Sequence, residues 1–202
     1  MKLTWLLGWA TPEDWFAPLA QSAFPDAEHR FLPPTPAGLG EALNEESSDL
    51  LVGYSLGTLL LLGAAGQLGP DRQVALLAPI FAFPREEELG GRIARSQVRH
   101  LARWLRIFPT AALKDFYRRV GIDIPVASPL PFALDDLLWG LEQLETNRCA
   151  PHLPKGWRGW CGDADVLLDA TRLHELDPAI AIVPGATHHP ERLITALSEA
   201  LA

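Results

Sequence analysis

Asp49-Leu50-Leu51-Val52-Gly53-Tyr54-Ser55-Leu56-Gly57-Thr58-Leu59-Leu60-Leu61-Leu62 is the stretch that decides the fold. It opens with a short apolar run closed by Gly53, the pattern of a strand buried on both faces of a parallel sheet. It ends in a leucine-rich segment that the spacing reads as a helix over residues 56–67. Between the two stands Gly53-Tyr54-Ser55-Leu56-Gly57, a G-x-S-x-G sequence at a strand-to-helix turn. A serine there is held in a strained conformation. The flanking glycines let strand and helix backbones approach closely enough for its Oγ to project above the sheet edge.

The same strand style recurs on both sides. Residues 3–7 run into Gly8, 74–78 into Pro79, 157–161 into Gly162 and 180–183 into Pro184-Gly185, with 29–32 as a weaker sixth. Helical patterns at 15–22, 167–176 and 191–201 alternate with them, the last placing Leu193, Ile194, Leu197 and Leu201 on one face. Alternation of this kind predicts an α/β fold with an open, mostly parallel sheet of about six strands flanked by helices. Residues 81–154 interrupt it. They show no convincing strand but helical patterns at 86–108, 110–120 and 134–146, with joints at Pro84, Pro109, Gly121, Pro125, Pro129 and Pro131. The expectation is a core of residues 1–80 and 155–202 carrying a helical cap or lid insertion, 81–154. Pro33-Pro34-Thr35-Pro36 reads as a rigid surface loop.

A serine hydroxyl is a weak nucleophile at neutral pH, so it needs a histidine base and a carboxylate to orient that base. Gly162-Asp163-Ala164-Asp165 follows one strand and Gly185-Ala186-Thr187-His188-His189 the next. Carboxyl ends of parallel strands converge on one edge, where these loops can meet Ser55. The order Ser, Asp, His is that of the α/β-hydrolase fold. Asp165, three residues after Gly162, is the favoured acid, with Asp163 as the alternative. His188 fits G-x-x-H, with His189, beside Pro190 at the start of the last helix, as the alternative. The oxyanion of an ester-cleaving reaction needs two backbone N–H donors; Leu56 supplies one, and Trp9, in the loop Gly8-Trp9-Ala10, the other. No metal or cofactor is implied, since His29, His100, His152 and His174 have no partners at metal-ligand spacing.

Composition is consistent with this reading. A chain of 202 residues, 48% hydrophobic and 21% charged, suits one domain with a sizeable insertion and excludes disorder, collagen and a membrane span. The apolar start, Met1 to Leu7, reads as a strand rather than a signal peptide, because it meets Gly8, Pro12, Glu13 and Asp14 without a cleavage site. Two cysteines, Cys149 and Cys161, give no disulfide framework, so a cytoplasmic location is expected. A net charge of −8 argues against nucleic-acid binding. Yet residues 81–121 carry nine bases against four acids. On a helix, Arg92, Arg95, Arg99, Arg103 and Arg106 share a sector of about 80°, opposite Val98, Leu101, Leu105 and Phe108. Such a basic face suits an anionic partner, and an acidic carrier protein presenting an acyl chain would account for both face and serine site.

Several segments together resemble the pimeloyl-acyl-carrier-protein methyl ester esterases of biotin synthesis. Leu7-Gly8-Trp9-Ala10 with Asp14-Trp15 looks like that family's oxyanion loop, and residues 53–57 like its elbow. Phe116-Tyr117-Arg118-Arg119 and Leu138-Trp139-Gly140-Leu141-Glu142-Gln143-Leu144 look like its cap helices, and 162–165 and 185–188 complete the pattern. The resemblance implies an α/β-hydrolase with a helical cap, acting through Ser55, Asp165 and His188 on a carrier-bound acyl methyl ester. It also implies carrier docking on cap arginines, here Arg92, Arg95, Arg99, Arg103, Arg118 and Arg119. Trp104, Phe108, Phe116 and Trp139 are candidates for an apolar channel or for cap core. The chain departs from that family in having Leu7 where a histidine is usual and in starting where the third strand would stand. The expected protein is a monomeric carboxylesterase without membrane or nucleic-acid partners. Its alternatives are a general short-chain esterase or acyl thioesterase, or a non-catalytic acyl- or protein-binding module.

Overall fold

Chain order runs β1 (Lys2–Leu6), α1 (Glu13–Ala23), β2 (Glu28–Leu32), α2 (Pro36–Asn44), β3 (Leu50–Tyr54), α3 (Leu56–Gly63) and β4 (Val74–Leu77). It continues through β5 (Ala82–Pro84), β6 (Gly90–Ile93), α4 (Arg95–Ile107), α5 (Pro109–Val120) and α6 (Leu134–Thr146). It closes with β7 (Arg158–Gly162), α7 (Ala170–Leu176), β8 (Ile180–Val183) and α8 (Pro190–Leu201). This computed structural model describes residues 1–126 and 129–202; Ala127 and Ser128, within the expected insertion, lie outside the described residues.

The expected runs form a single six-stranded sheet in the order β2-β1-β3-β4-β7-β8, every pair parallel. Its central strands read as continuous apolar runs because helices cover both faces: β3 and β4 are buried at every residue. On one face α1 packs against α8 through the apolar stripes that hold Phe16 and Ala20, and Leu193, Ile194 and Leu197. Right-handed crossovers put α2, α3 and α7 on the other face. Leu59, Leu60, Leu61 and Leu62 of α3 are all buried, between the sheet and α6. Each such leucine contributes about 1.5–3 kcal/mol relative to an exposed one.

Strand order reverses between β1 and β3, because β1 leads outward to β2 while the connection from β2 returns past β1 to β3. A crevice opens at the carboxyl ends of the strands at such a switch point. The two loops that leave there are Gly8-Trp9-Ala10 and the turn at Ser55.

Five sequence expectations change. Pro33-Pro34-Thr35-Pro36 is not only loop: Thr35 caps α2, its hydroxyl accepting the Gly38 N–H at 3.1 Å, and Pro36 takes the first helical position. That is the usual signature of a helix start. The stretch 81–154 does contain strands, β5 and β6, which pair in parallel as a small second sheet. They are three and four residues long and rich in proline and glycine, too short to show a period. Gly91 is required there, since a Cβ would lie 1.9 Å from the Phe83 carbonyl oxygen. The helix expected over 86–108 therefore starts only at Arg95, after a 3₁₀ turn at Arg85–Glu87 and a left-handed Glu88. The helix expected over 56–67 ends at Gly63, and the one expected over 167–176 starts at Ala170, where Asp169 caps it.

A close backbone approach fixes the start of α3 on the end of β1. A Cβ on Gly57 would stand 2.1 Å from the Leu6 carbonyl oxygen and 2.8 Å from that of Leu7. Gly63, at the far end of the same helix, has open space around it. Gly57→Ala is expected to cost about 3 kcal/mol, the upper end of overpacking penalties. Gly63→Ala should instead gain about 0.5 kcal/mol by restricting the unfolded chain. Urea unfolding of the two variants beside the parent checks both signs.

Candidate active site

The elbow has the strained geometry that its sequence demands. Ser55 sits at φ 52°, ψ −116°, between β3 and α3. Such a conformation is uncommon outside glycine and costs about 1–3 kcal/mol, so the surroundings must impose it. They do so through Gly57, and through Gly53, where a Cβ would meet the Thr58 backbone at 3.1 Å. Thr58 adds a hydrogen-bonded clamp: its buried hydroxyl donates to the Ser55 carbonyl at 2.6 Å and accepts the Ile80 N–H at 3.0 Å. This role was not read from sequence. The available signal was a lone polar side chain in an otherwise apolar helix.

Ser55 Oγ lies 2.9 Å from His188 Nε2, and His188 Nδ1 lies 2.7 Å from Asp165 Oδ2. Ser55 is 9% exposed, His188 2% and Asp165 0%, so the chain of bonds is shielded from water and opens only at the serine. The remaining Asp165 oxygen, Oδ1, accepts the N–H groups of Leu167 at 2.8 Å and Leu168 at 3.1 Å. A buried carboxylate held this way has its acceptors filled and one edge aimed at the imidazole. The rejected alternatives have structural roles. Asp163 is exposed and accepts the Gly185 N–H at 2.6 Å, joining the two loops. His189 caps α8 and meets the Trp15 ring edge-on at 5.1 Å; burial pushes its imidazole below the usual range, against the opposing pull of Glu191.

The tyrosine inside G-x-S-x-G also serves the histidine loop. Tyr54 Oη donates to the His188 carbonyl at 2.7 Å, and the two rings lie 5.6 Å apart. Burial, and then the nearby Asp165 charge, push this phenol well above its ordinary range, so it remains a donor.

The loop after β1 is braced by two helices of the stretch 81–154. Trp9 Nε1 donates to the Leu137 carbonyl in α6 at 2.8 Å, and its ring meets Phe116 of α5 edge-on at 4.8 Å. Tyr117 Oη donates to the Ala10 carbonyl at 2.6 Å, where the backbone takes φ 52°. Gly140 makes room for the indole, since a Cβ there would be 2.6 Å from Trp9 Cδ1. Among the described residues neither the Trp9 nor the Leu56 N–H donates a hydrogen bond within the chain. Both are thus left without a partner among the described residues.

A cavity of about 650 Å³ rises from Ser55 and His188. Phe83, Ile93, Val98, Leu101, Leu141 and Leu144 are among its apolar walls, and His100, Arg103, Asp115 and Arg119 add polar groups. Trp104 and Phe116 line it. Trp139 does not, and Phe108 instead lies at the α4–α5 joint beside Ile107, 60% and 68% exposed. An imidazole beside a serine hydroxyl, two open N–H donors and an apolar chamber can together accept a proton, stabilise an oxyanion and hold an acyl chain.

The arginines expected on one helix face, and the further docking candidates Arg118 and Arg119, divide differently. Arg92 lies in β6, off the helix, and contacts Asp165 and Asp169. Arg95 pairs with Glu87, Arg99 with Glu145 at 2.6 Å, and Arg118 and Arg119 both with Asp115, the latter at 2.5 Å. Arg103 and Arg106 have no carboxylate partner among the described residues. Among the described residues no group of three potential metal ligands gathers, and no helix is long and apolar enough to cross a membrane.

No protein-family model matches the sequence, and no curated protein matches it. Solved structures do. The chain is similar to an esterase from Exiguobacterium antarcticum, at 14% identity and TM-score 0.74, over 100% of this chain and 90% of that one. It is similar to a thermophilic esterase from Thermogutta terrifontis, at 15% identity and TM-score 0.69, over 100% and 89%. An enol-lactonase from Burkholderia xenovorans matches at 15% identity and TM-score 0.65, over 99% and 89%. Likeness at this identity speaks to architecture, and reactions differ within one architecture. The parallel sheet, its order and these neighbours together show that the chain has the α/β-hydrolase fold.

Proposed function

We propose that the protein is a serine carboxylesterase. The observation that carries this reading is the buried chain of bonds from Ser55 through His188 to Asp165, set on a strained serine at the floor of an apolar cavity. Ser55 Oγ attacks the ester carbonyl while His188 Nε2 takes its proton. The Trp9 and Leu56 N–H groups hold the oxyanion, and Asp165 keeps the imidazole oriented and stabilises its cation. His188 then protonates the departing alcohol, leaving an acyl group on Ser55. A water that gives its proton to His188 attacks that acyl group, and the imidazolium returns the proton to Ser55 as the acid leaves.

The finer form of the proposal is a carrier-bound acyl methyl ester as substrate, with methanol leaving. It is supported by the apolar cavity walls available to an acyl chain, by Arg103 at the cavity, and by the Trp9 loop and Gly140 segment. A general short-chain esterase is the second reading. It is favoured by the ion pairs that tie Arg95, Arg99, Arg118 and Arg119 to carboxylates of the chain itself.

Ser55→Ala is expected to abolish hydrolysis of p-nitrophenyl butyrate and labelling by a fluorophosphonate, with an unchanged circular-dichroism spectrum; surviving turnover would refute the mechanism. Methanol release from a methyl-pimeloyl carrier protein separates the two substrate readings. Under the first, it exceeds turnover of the free methyl ester and falls when Arg103 is reversed to Glu; under the second, the free ester is as good a substrate. Gly140→Val should displace the indole and lower kcat by about tenfold or more, as misplacement of an oxyanion donor does. An unchanged kcat in that variant would remove Trp9 from the proposed machinery.

A further inference from the structure

The loop that carries Asp165 is held by β6, and the bonds between them fall on alternate residues. The Asp169 N–H donates to the Gly90 carbonyl at 2.7 Å, and the Arg92 N–H donates to the Leu167 carbonyl at 2.9 Å, around an antiparallel bridge between Gly91 and Leu168. The next rung of this short ladder would join residue 94 to residue 165. The backbone cannot supply it. β6 ends at Ile93, and the Ala94 N–H is turned into the start of α4, where it donates to Gln97 Oε1 at 2.9 Å. The Arg92 side chain stands in its place, with Nη1 donating to the Asp165 carbonyl at 2.9 Å.

We infer that Arg92 is a positioning residue for the reaction: its guanidinium replaces the missing rung, fixes the backbone of Asp165 and thereby aims the carboxylate at His188. The inference rests on the serine-hydrolase reading above. It also gives Arg92, a half-exposed side chain, a partner within the chain rather than a place on the docking face. The second contact, Arg92 Nη2 to Asp169 Oδ2 at 3.5 Å, joins two half-exposed side chains and contributes little. The bond to the Asp165 carbonyl is the one with leverage. That residue's carboxylate hangs from the same Cα and has to keep a 2.7 Å bond to the imidazole.

Arg92→Met keeps the apolar stem and removes the donor; Arg92→Gln is the smaller second change. Rates are referred to sites counted with a fluorophosphonate, so any loss of folded protein drops out. For Arg92→Met the expected result is a kcat about tenfold lower with KM unchanged. This is less than the roughly hundredfold that an ångström of misplacement costs. The far-downfield proton resonance of His188 Nδ1–H is expected to move upfield or broaden. Arg92→Gln should show the same split more weakly. Asp169→Asn, which keeps the helix cap and removes the ion pair, should leave rate and resonance as they are. An unchanged kcat per site and resonance in both Arg92 variants overturns the inference, as does an Asp169→Asn variant that reproduces the Arg92→Met loss. Absence of fluorophosphonate labelling in the parent protein would instead overturn the serine-hydrolase reading, and the Arg92 role with it.

Discussion

The structure depends on one steric constraint: the first turn of α3 lies on the end of β1, at a distance only glycine permits. With no Cβ at Gly57, the Leu6 carbonyl can sit where that atom would be. This contact forces the chain to turn at Ser55 through a conformation that an L-residue otherwise avoids. It also brings together the two loops that leave the sheet at its switch point. The strain is repaid by a helix with four consecutive buried leucines and by Thr58, which fastens the Ser55 carbonyl to the chain beyond β4. A serine hydroxyl that meets the cavity from a rigid support is the outcome. Rigidity here is a matter of close packing and bonded polar groups rather than of any single strong interaction.

Around the elbow, the stretch between β4 and β7 does more than cover the cavity. Its helices reach back to the loop after β1, through Trp9 to the Leu137 carbonyl and Tyr117 to the Ala10 carbonyl. Its short strand β6 holds the loop that carries Asp165. Ser55 belongs to the sheet, but the Asp165 loop and the loop after β1 are both set partly by this stretch. A displacement of α5 or α6 would therefore be felt at the Trp9 loop, and one of β6 at the Asp165 carboxylate. Charge in the same stretch is mostly spent internally, on pairs with Glu87, Asp115 and Glu145. That leaves Arg103 and Arg106 as the arginines of α4 without such a partner among the described residues.

How far the sequence could be read follows from the kind of signal each element carries. Buried strands announce themselves as apolar runs ended by glycine or proline, and five of the main sheet were visible that way; β2, an edge strand of alternating burial, gave a weaker signal. The amphipathic α8 and the elbow were equally clear. β5 and β6 were not, because three or four residues containing Pro84, or Gly90 and Gly91, have neither period nor β-propensity. The helix α2 was missed although Thr35-Pro36 is a legible start, since the neighbouring prolines suggested a loop. The basic face was read from helical spacing, which assumed that Arg92 belonged to α4; it lies in β6, and the helix starts only at Arg95.

By itself the sequence determined the α/β class, the place of the serine and the two loops that had to supply its partners, because these follow from local patterns: periodicity, and glycines where the backbone must come close. The tertiary structure alone decided which carboxylate and which histidine meet the serine. Asp163 and Asp165 are chemically alike and two residues apart, as His188 and His189 are neighbours. Only the packed loops bury one of each pair and leave the other to cap a turn or a helix. The same holds for Arg92 and Tyr117, whose partners are 73 and 107 residues away along the chain. Hydrogen bonds between side chains and distant carbonyls leave no trace in periodicity or composition, because any donor of the right reach can make them once the fold has brought the acceptor near.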